Sequence, residues 1–170
     1  MILEEALKTS KFRNEQHKLL IHLWYTRSVM MIEHKRLFRA WGITPEQYNI
    51  LRILLGQQGQ PLALHDLTAR MVDPASNTSR LVEKLRQKGY LVRSESPEDR
   101  RRVDVVITEK GTQLVRDAAP GLLSLESHFE STITEEEARM MNGALNRFHQ
   151  SLESREREGS NGFGPKKPIN

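Results

Sequence analysis

A mainly α-helical chain with one small β-hairpin is the fold class that three features of this sequence predict. Apolar residues recur at helical spacing over most of its length, whereas β-type runs occur only around residues 90–93 and 103–108. Glycine or proline stands where one pattern gives way to the next, at Gly42, Pro61, Gly89 and Pro120. The stretch DPASNTSRLVEKLRQKGYLVRSESPEDRRRVDVVITEKG, Asp73 to Gly111, joins both patterns in the order helix, strand, charged loop, strand, helix. Such an order can set one helix in a DNA major groove with an arginine-bearing wing beside it.

At 170 residues the chain fits one compact domain, or a small domain with long appended helices. A net charge of +4, from 26 basic and 22 acidic residues, suits an anionic partner without requiring one. No cysteine is present, which removes disulfides, thiol sensing and thiolate metal sites. The start MILEEALKTSKF has no basic segment followed by an apolar run, and no apolar stretch is long enough to span a bilayer. A cytoplasmic protein with no membrane contact is expected. From Arg155 to Asn170 the chain is rich in charge, Gly and Pro and has no periodic apolar face, so 155–170 is expected to be a disordered tail.

Residues Ile2 to Lys8 suggest a short helix, and Lys11 to Trp41 a long one. In the long helix Leu20, Trp24, Met31 and Phe38 form one apolar row, with Leu19, Leu23, Met30, Leu37 and Trp41 beside it. That stripe is wider than one neighbour needs, which points to a second chain. Gly42 closes the helix. Thr44, Pro45 and Gln47 then supply an N-cap, a first-turn proline and a capping-box partner for a helix running to Leu55. After Pro61, Leu64, Leu67 and Met71 predict the first helix of a helix-turn-helix pair.

Asp73 as N-cap and Pro74 at the first position predict the next helix, which Gly89 ends. Thr78, Leu81, Val82 and Leu85 face inward on it. Ser76, Asn77, Ser79, Arg80 and Lys84 fall on the outward side. Asn and Arg can each make two bonds to a base edge, and Ser and Lys contact phosphate more often, although an ordinary solvated helix face has the same composition. A hairpin should project the loop from Glu95 to Arg102. Its three arginines suit a minor groove, a solvated charge cluster being the plainer alternative, and Asp99 can order a neighbouring guanidinium. Helical patterns resume after Thr108, with an interruption or kink at Pro120 and Gly121, and a last helix starts at Thr134.

In combination, TSRLVEKLRQKGYLVR from Thr78, DRR at Asp99 to Arg101, and V-x-I-T-x-K-G from Val105 to Gly111 resemble the MarR family of bacterial winged-helix transcriptional regulators. The likeness covers roughly Leu19 to Leu152 in organisation. It departs from the common pattern at Ile107, where leucine is usual. The resemblance implies a homodimer with intertwined terminal helices, dividing the chain into an N-terminal dimerisation region (1–41), a winged helix-turn-helix DNA-binding domain (42–111), and C-terminal dimerisation helices (112–154). Each recognition helix would enter one half-site of an inverted repeat in double-stranded DNA. The resemblance makes Arg100 the groove-inserting residue, with Asp99 and Arg101 ordering it and the two arginines able to exchange roles; Arg102, outside the triplet, is assigned to phosphate.

The same resemblance implies a ligand-responsive repressor, with a small aromatic or amphipathic effector lined by Trp24, Arg27, Met31, His34 and Tyr48, a core role being the stronger alternative for Trp24 and Met31. No cofactor is implied. A metal-responsive regulator of the same fold is the alternative: His17, His22, His34, His65, His128 and His149 supply ligands, but none stands at tight metal-site spacing, so no metal residue is assigned. A winged-helix adaptor for protein contacts is the other. No nucleophile elbow, phosphate loop or dinucleotide fingerprint is present, so no catalytic residue is assigned and an enzyme is not expected.

Overall fold

The computed structural model describes residues 2–73, 75–95 and 102–157. The chain forms two compact units, Met1–Leu122 and Leu123–Asn170. The first holds α1 (Leu3–Leu7), α2 (Glu15–Phe38) with a tightened turn at Arg39–Trp41, and α3 (Pro45–Leu55). There follow β1 (Leu62–Ala63), α4 (Leu64–Ala69), α5 (Thr78–Gln87), β2 (Leu91–Glu95), β3 (Val103–Ile107) and the start of α6 (Glu109–Thr132). The second unit holds the rest of α6, and α7 (Glu135–Arg157).

Helices and a small antiparallel sheet make up the fold, as expected. The sheet is ordered β1-β3-β2. β2 and β3 form the predicted hairpin, in a register that sets Leu91 against Ile107 and Glu95 against Val103. β1 was not foreseen: two residues are too few to show alternation, and only the pairing of Leu62 with Val105 and Ala63 with Asp104 makes them a strand.

The core of the first unit gathers Phe38, Ile50, Leu51, Leu54, Leu67, Val82, Leu85, Leu91, Val105 and Val115, all nearly inaccessible. Full burial of such a side chain contributes about 1.5–3 kcal/mol. Sheet, α3, α4 and α5 therefore share one apolar centre, which holds the outward face of α5 and the base of the hairpin in place.

Caps explain most boundaries. Asn14 Oδ1 accepts from the His17 amide, so α2 starts at Glu15 and not at Lys11. Gly42 closes the following turn with φ of 61°, a left-handed backbone that glycine takes without a Cβ clash. In α3 the Thr44 amide donates to Gln47 Oε1 at 3.1 Å while the Gln47 amide donates to Thr44 Oγ1 at 3.3 Å, which completes the predicted capping box. Thr134 and Glu137 repeat the arrangement ahead of α7, at 2.9 and 3.3 Å.

Of the interruption or kink expected at Pro120 and Gly121, the interruption does not occur: α6 runs unbroken through both. A Cβ on Gly121 would stand 2.4 Å from Leu37 Cδ1, so this glycine makes room for α2 and does not break a helix. α7 also continues to Arg157, into the segment assigned to a disordered tail, because charged side chains such as Glu153 and Arg155 are no obstacle to an exposed helix. The remainder of that tail lies outside the described residues. Among the described residues no helix is long and apolar enough to cross a membrane.

Candidate nucleic-acid interface

α5 is strongly two-sided. Thr78, Val82 and Leu85 are buried, while Ser79, Arg80 and Lys84 are exposed. Neither Arg80 nor Lys84 has an ion-pair partner among the described residues. Between them Glu83 accepts from Arg86 at 2.9 and 2.8 Å, and this pairing holds the Glu83 carboxyl below its usual range. One acid on the helix is thereby neutralised locally and two cations remain for an anionic partner.

The helix starts later than Asp73 and Pro74 suggested. Asn77 is the N-cap, with Oδ1 accepting from the Arg80 amide at 3.0 Å. Asp73 builds the turn before it: Oδ1 accepts from the Ala75 amide, and the carbonyl accepts from the Ser76 amide and hydroxyl at 3.1 and 2.7 Å. Both residues are good caps, and the one nearer the apolar run wins because Thr78 and Val82 can then be buried together. Pro74 lies outside the described residues. The cap also changes what Asn77 offers. With one lone pair of Oδ1 engaged, its NH₂ group remains for a partner, and a two-bond contact to adenine would have to share Oδ1 with the cap. Ser76 is half-buried and its hydroxyl serves the turn.

The other end of α5 is held by the residues of the T-x-K-G motif. Thr108 Oγ1 donates to the Gly89 carbonyl at 2.8 Å and accepts from the Gly111 amide at 3.1 Å, so one hydroxyl caps α6 and ties it to the end of α5. Lys110 Nζ donates to the Lys88 carbonyl at 2.8 Å and lies 4.9 Å from the Tyr90 ring centroid. Lys88 Nζ in turn donates to the Gly42 carbonyl, beyond the end of α2. A Cβ at Gly111 would meet the Tyr90 carbonyl at 2.1 Å, which accounts for glycine there. Gly89, with φ of 74°, makes the left-handed exit from α5. The sequence flagged both glycines; the two lysine clamps were missed because a surface lysine carries no sign of its carbonyl.

Asp99, Arg100 and Arg101 lie outside the described residues. Arg102 is described, and its Nε donates to Asp104 Oδ1 at 2.9 Å. Asp104 is 6% exposed although it sits on the sheet face opposite Val105 and the core. The sequence reading did not single out Asp104. Its place two residues from Arg102 along an extended chain, hence on the same side, was the available signal.

The five residues assigned to an effector are not drawn together within one chain. Trp24, Arg27, Met31 and His34 follow one line along α2. Trp24 is 60% exposed, and His34 Nδ1 lies 2.7 Å from the Met30 carbonyl. Arg27 donates to Asp73 at 3.3 Å, which joins α2 to the turn before α5. Tyr48 is buried and stacks on Phe38, with ring centroids 4.4 Å apart. Trp24 and Phe38 are fourteen residues apart, about 21 Å along the helix, whereas the His34 ring centroid lies 6.5 Å from that of Phe38. Among the described residues no three His, Asp or Glu side chains are grouped so that they could hold a metal ion.

A model of the MarR family matches residues 41–102, from the turn after α2 to the foot of the wing. The chain is 32% identical over 106 residues to the HTH-type transcriptional regulator MhqR of Bacillus subtilis, covering 62% of this chain and 72% of that one. To the transcriptional repressor MprA of Escherichia coli it is 27% identical over 123 residues, 69% and 70% of the two chains. Among solved structures it is similar to S. aureus MepR in a DNA-binding conformation, with 25% identity, a TM-score of 0.66, and coverage of 78% of this chain and 98% of that one. The MepR–DNA complex matches at the same identity, with a TM-score of 0.65 and coverage of 76% and 96%.

Proposed function

This chain belongs to the MarR family of winged helix-turn-helix transcriptional regulators, and on that premise we propose that it binds an inverted-repeat operator in double-stranded DNA as a homodimer and represses transcription. The family and the relatives it matches are regulators, not enzymes. The observation that carries the reading is α5 itself: Arg80 and Lys84 on its open face without an ion-pair partner among the described residues, the opposite face buried, and both ends clamped. A helix so held presents its cations at a fixed angle, as major-groove reading requires. Arg80 is assigned to a base edge and Asn77, Ser79 and Lys84 to the adjoining backbone, while Ser76, whose hydroxyl and amide both donate to the Asp73 carbonyl, supports the turn. The wing arginines, Arg100 foremost with Asp99 and Arg101, extend the contact into the flanking minor groove. MepR in a DNA complex and MprA as a repressor support the partner and the sign of the response.

The exposed apolar faces of α2 and α7 supply the second half of the reading. Region 42–111 serves as the DNA-binding part, and the helices on either side of it pair the two copies. A small aromatic or amphipathic effector held against the Trp24 to His34 line would release DNA by favouring a spacing of recognition helices that the operator does not match. The test is binding to DNA from the region upstream of the chain's own reading frame and to a random-site library. A specific complex whose affinity falls steeply with salt is expected. Failure to select any sequence would overturn the operator reading. Arg100→Ala should weaken that complex by about 1–3 kcal/mol with the fold intact, and an unchanged affinity removes Arg100 from the site.

A further inference from the structure

We infer that Asp104 is a positioning residue for DNA binding: it fixes the Arg102 guanidinium at the foot of the wing so that this cation meets a backbone phosphate. The inference rests on the DNA-binding reading above. Its basis is an asymmetry within one ion pair. The Asp104 side chain is 9% accessible, the Arg102 side chain 41%, and the bond between them uses Nε at 2.9 Å. The carboxylate is anchored on the middle strand of the sheet, with Ala63 opposite on β1 and Ser94 opposite on β2. The guanidinium is the partner that reaches solvent. Arginine loses much rotamer freedom when it is held, and an acid on a rigid strand takes that loss at folding, before DNA arrives. The planar fork then has a set orientation, which an unheld arginine would acquire only on binding.

Charge alone predicts the opposite of positioning. Asp104 is an anion close to a surface that meets a polyanion, so its removal should tighten binding if it had no other role. Asp104→Leu keeps the volume and an apolar fit for a nearly buried site while removing the acceptor. We expect it to bind operator DNA about fivefold more weakly or worse, with the log–log salt slope smaller by about one, as when one phosphate contact is lost. Arg102→Ala, which removes the cation itself, should lose at least as much, and the double variant no more than Arg102→Ala, since the acid acts through the arginine. Arg102→Lys retains the charge without the Nε–H edge and should lose at least about threefold.

Thermal unfolding of each variant shows that it is folded at the assay temperature. Should Asp104→Leu fail to fold, Arg102→Lys carries the test. Unchanged or tighter binding by Asp104→Leu overturns the inference. So does a further loss when Asp104→Leu is added to Arg102→Ala, or wild-type affinity in Arg102→Lys. No salt-dependent binding by the wild-type protein to any DNA would overturn the underlying reading, and this inference with it.

Discussion

α3 and α7 carry similar amphipathic patterns and meet opposite fates. Of the eleven residues of α3, five are buried, among them Ile50 and Leu51 with no accessible surface. α7 is 23 residues long and buries none of those whose side chains are described; Met140, Phe148 and Leu152 are 67%, 52% and 40% exposed. An isolated amphipathic helix draws little stability from propensity alone and needs its apolar face covered. For α3 the covering is intramolecular and complete. The apolar residues of α7 stay exposed, as do Trp24 and Ile32 on the outer side of α2, and on the proposed homodimer reading these are the faces that pair. The contrast separates side chains buried in the fold from side chains that the homodimer proposal assigns to pairing.

The largest effect should come from the α3 side. Leu51→Ala removes a fully buried side chain and should cost about 2–5 kcal/mol in chemical denaturation. A loss below about 1 kcal/mol would break the contrast from that side. Next is the clamp behind α5, where Gly111→Ala places a methyl against the Tyr90 carbonyl and should cost about 1–3 kcal/mol. DNA affinity at a temperature where the variant is folded should fall with it.

Phe148→Asp probes the opposite class of residue. It should leave far-ultraviolet dichroism near wild type while sedimentation shifts from a dimeric to a monomeric mass and the melting temperature loses its dependence on protein concentration. A monomeric wild-type protein at micromolar concentration would refute the paired-helix reading.

The smallest effect is a pH dependence at the start of α7. The Thr134 hydroxyl and then the Thr134 amide hold the Glu137 carboxyl below its usual value. A carboxyl lowered in the folded state contributes stability that is present above its unfolded value, about 4.3, and is lost as pH falls through the folded one. Glu137→Gln keeps the capping box without the charge and should flatten that part of the acid titration of helicity. An unchanged titration would show that the cap does not carry it.

Legibility followed the range of the interaction. The capping boxes at Thr44 and Thr134, the exits at Gly42 and Gly89, and the β2–β3 hairpin lie within a few residues of the signals that announce them. The site was legible in part. Composition and helical spacing marked Arg80 and Lys84 as outward, but the competition between Asp73 and Asn77 for one helix start depended on which register buried Thr78 and Val82. The Lys88, Lys110 and Arg27 contacts join residues 46, 22 and 46 positions apart, and no local pattern reports such a meeting. Asp104 shows the limit best. In the sequence it is an acid within a β-type run, and it becomes a buried anchor only when β1 and β2 close on either side of it.

The sequence by itself therefore determined the element order, the two-sided character of α5 and the family, because periodicity, caps and turn glycines act over one or two turns of chain. Tertiary structure alone decided which cations are held and by what, which glycine marks an end and which a close approach, and which apolar faces remain open. Those outcomes depend on distances between segments, set by packing of the shared core.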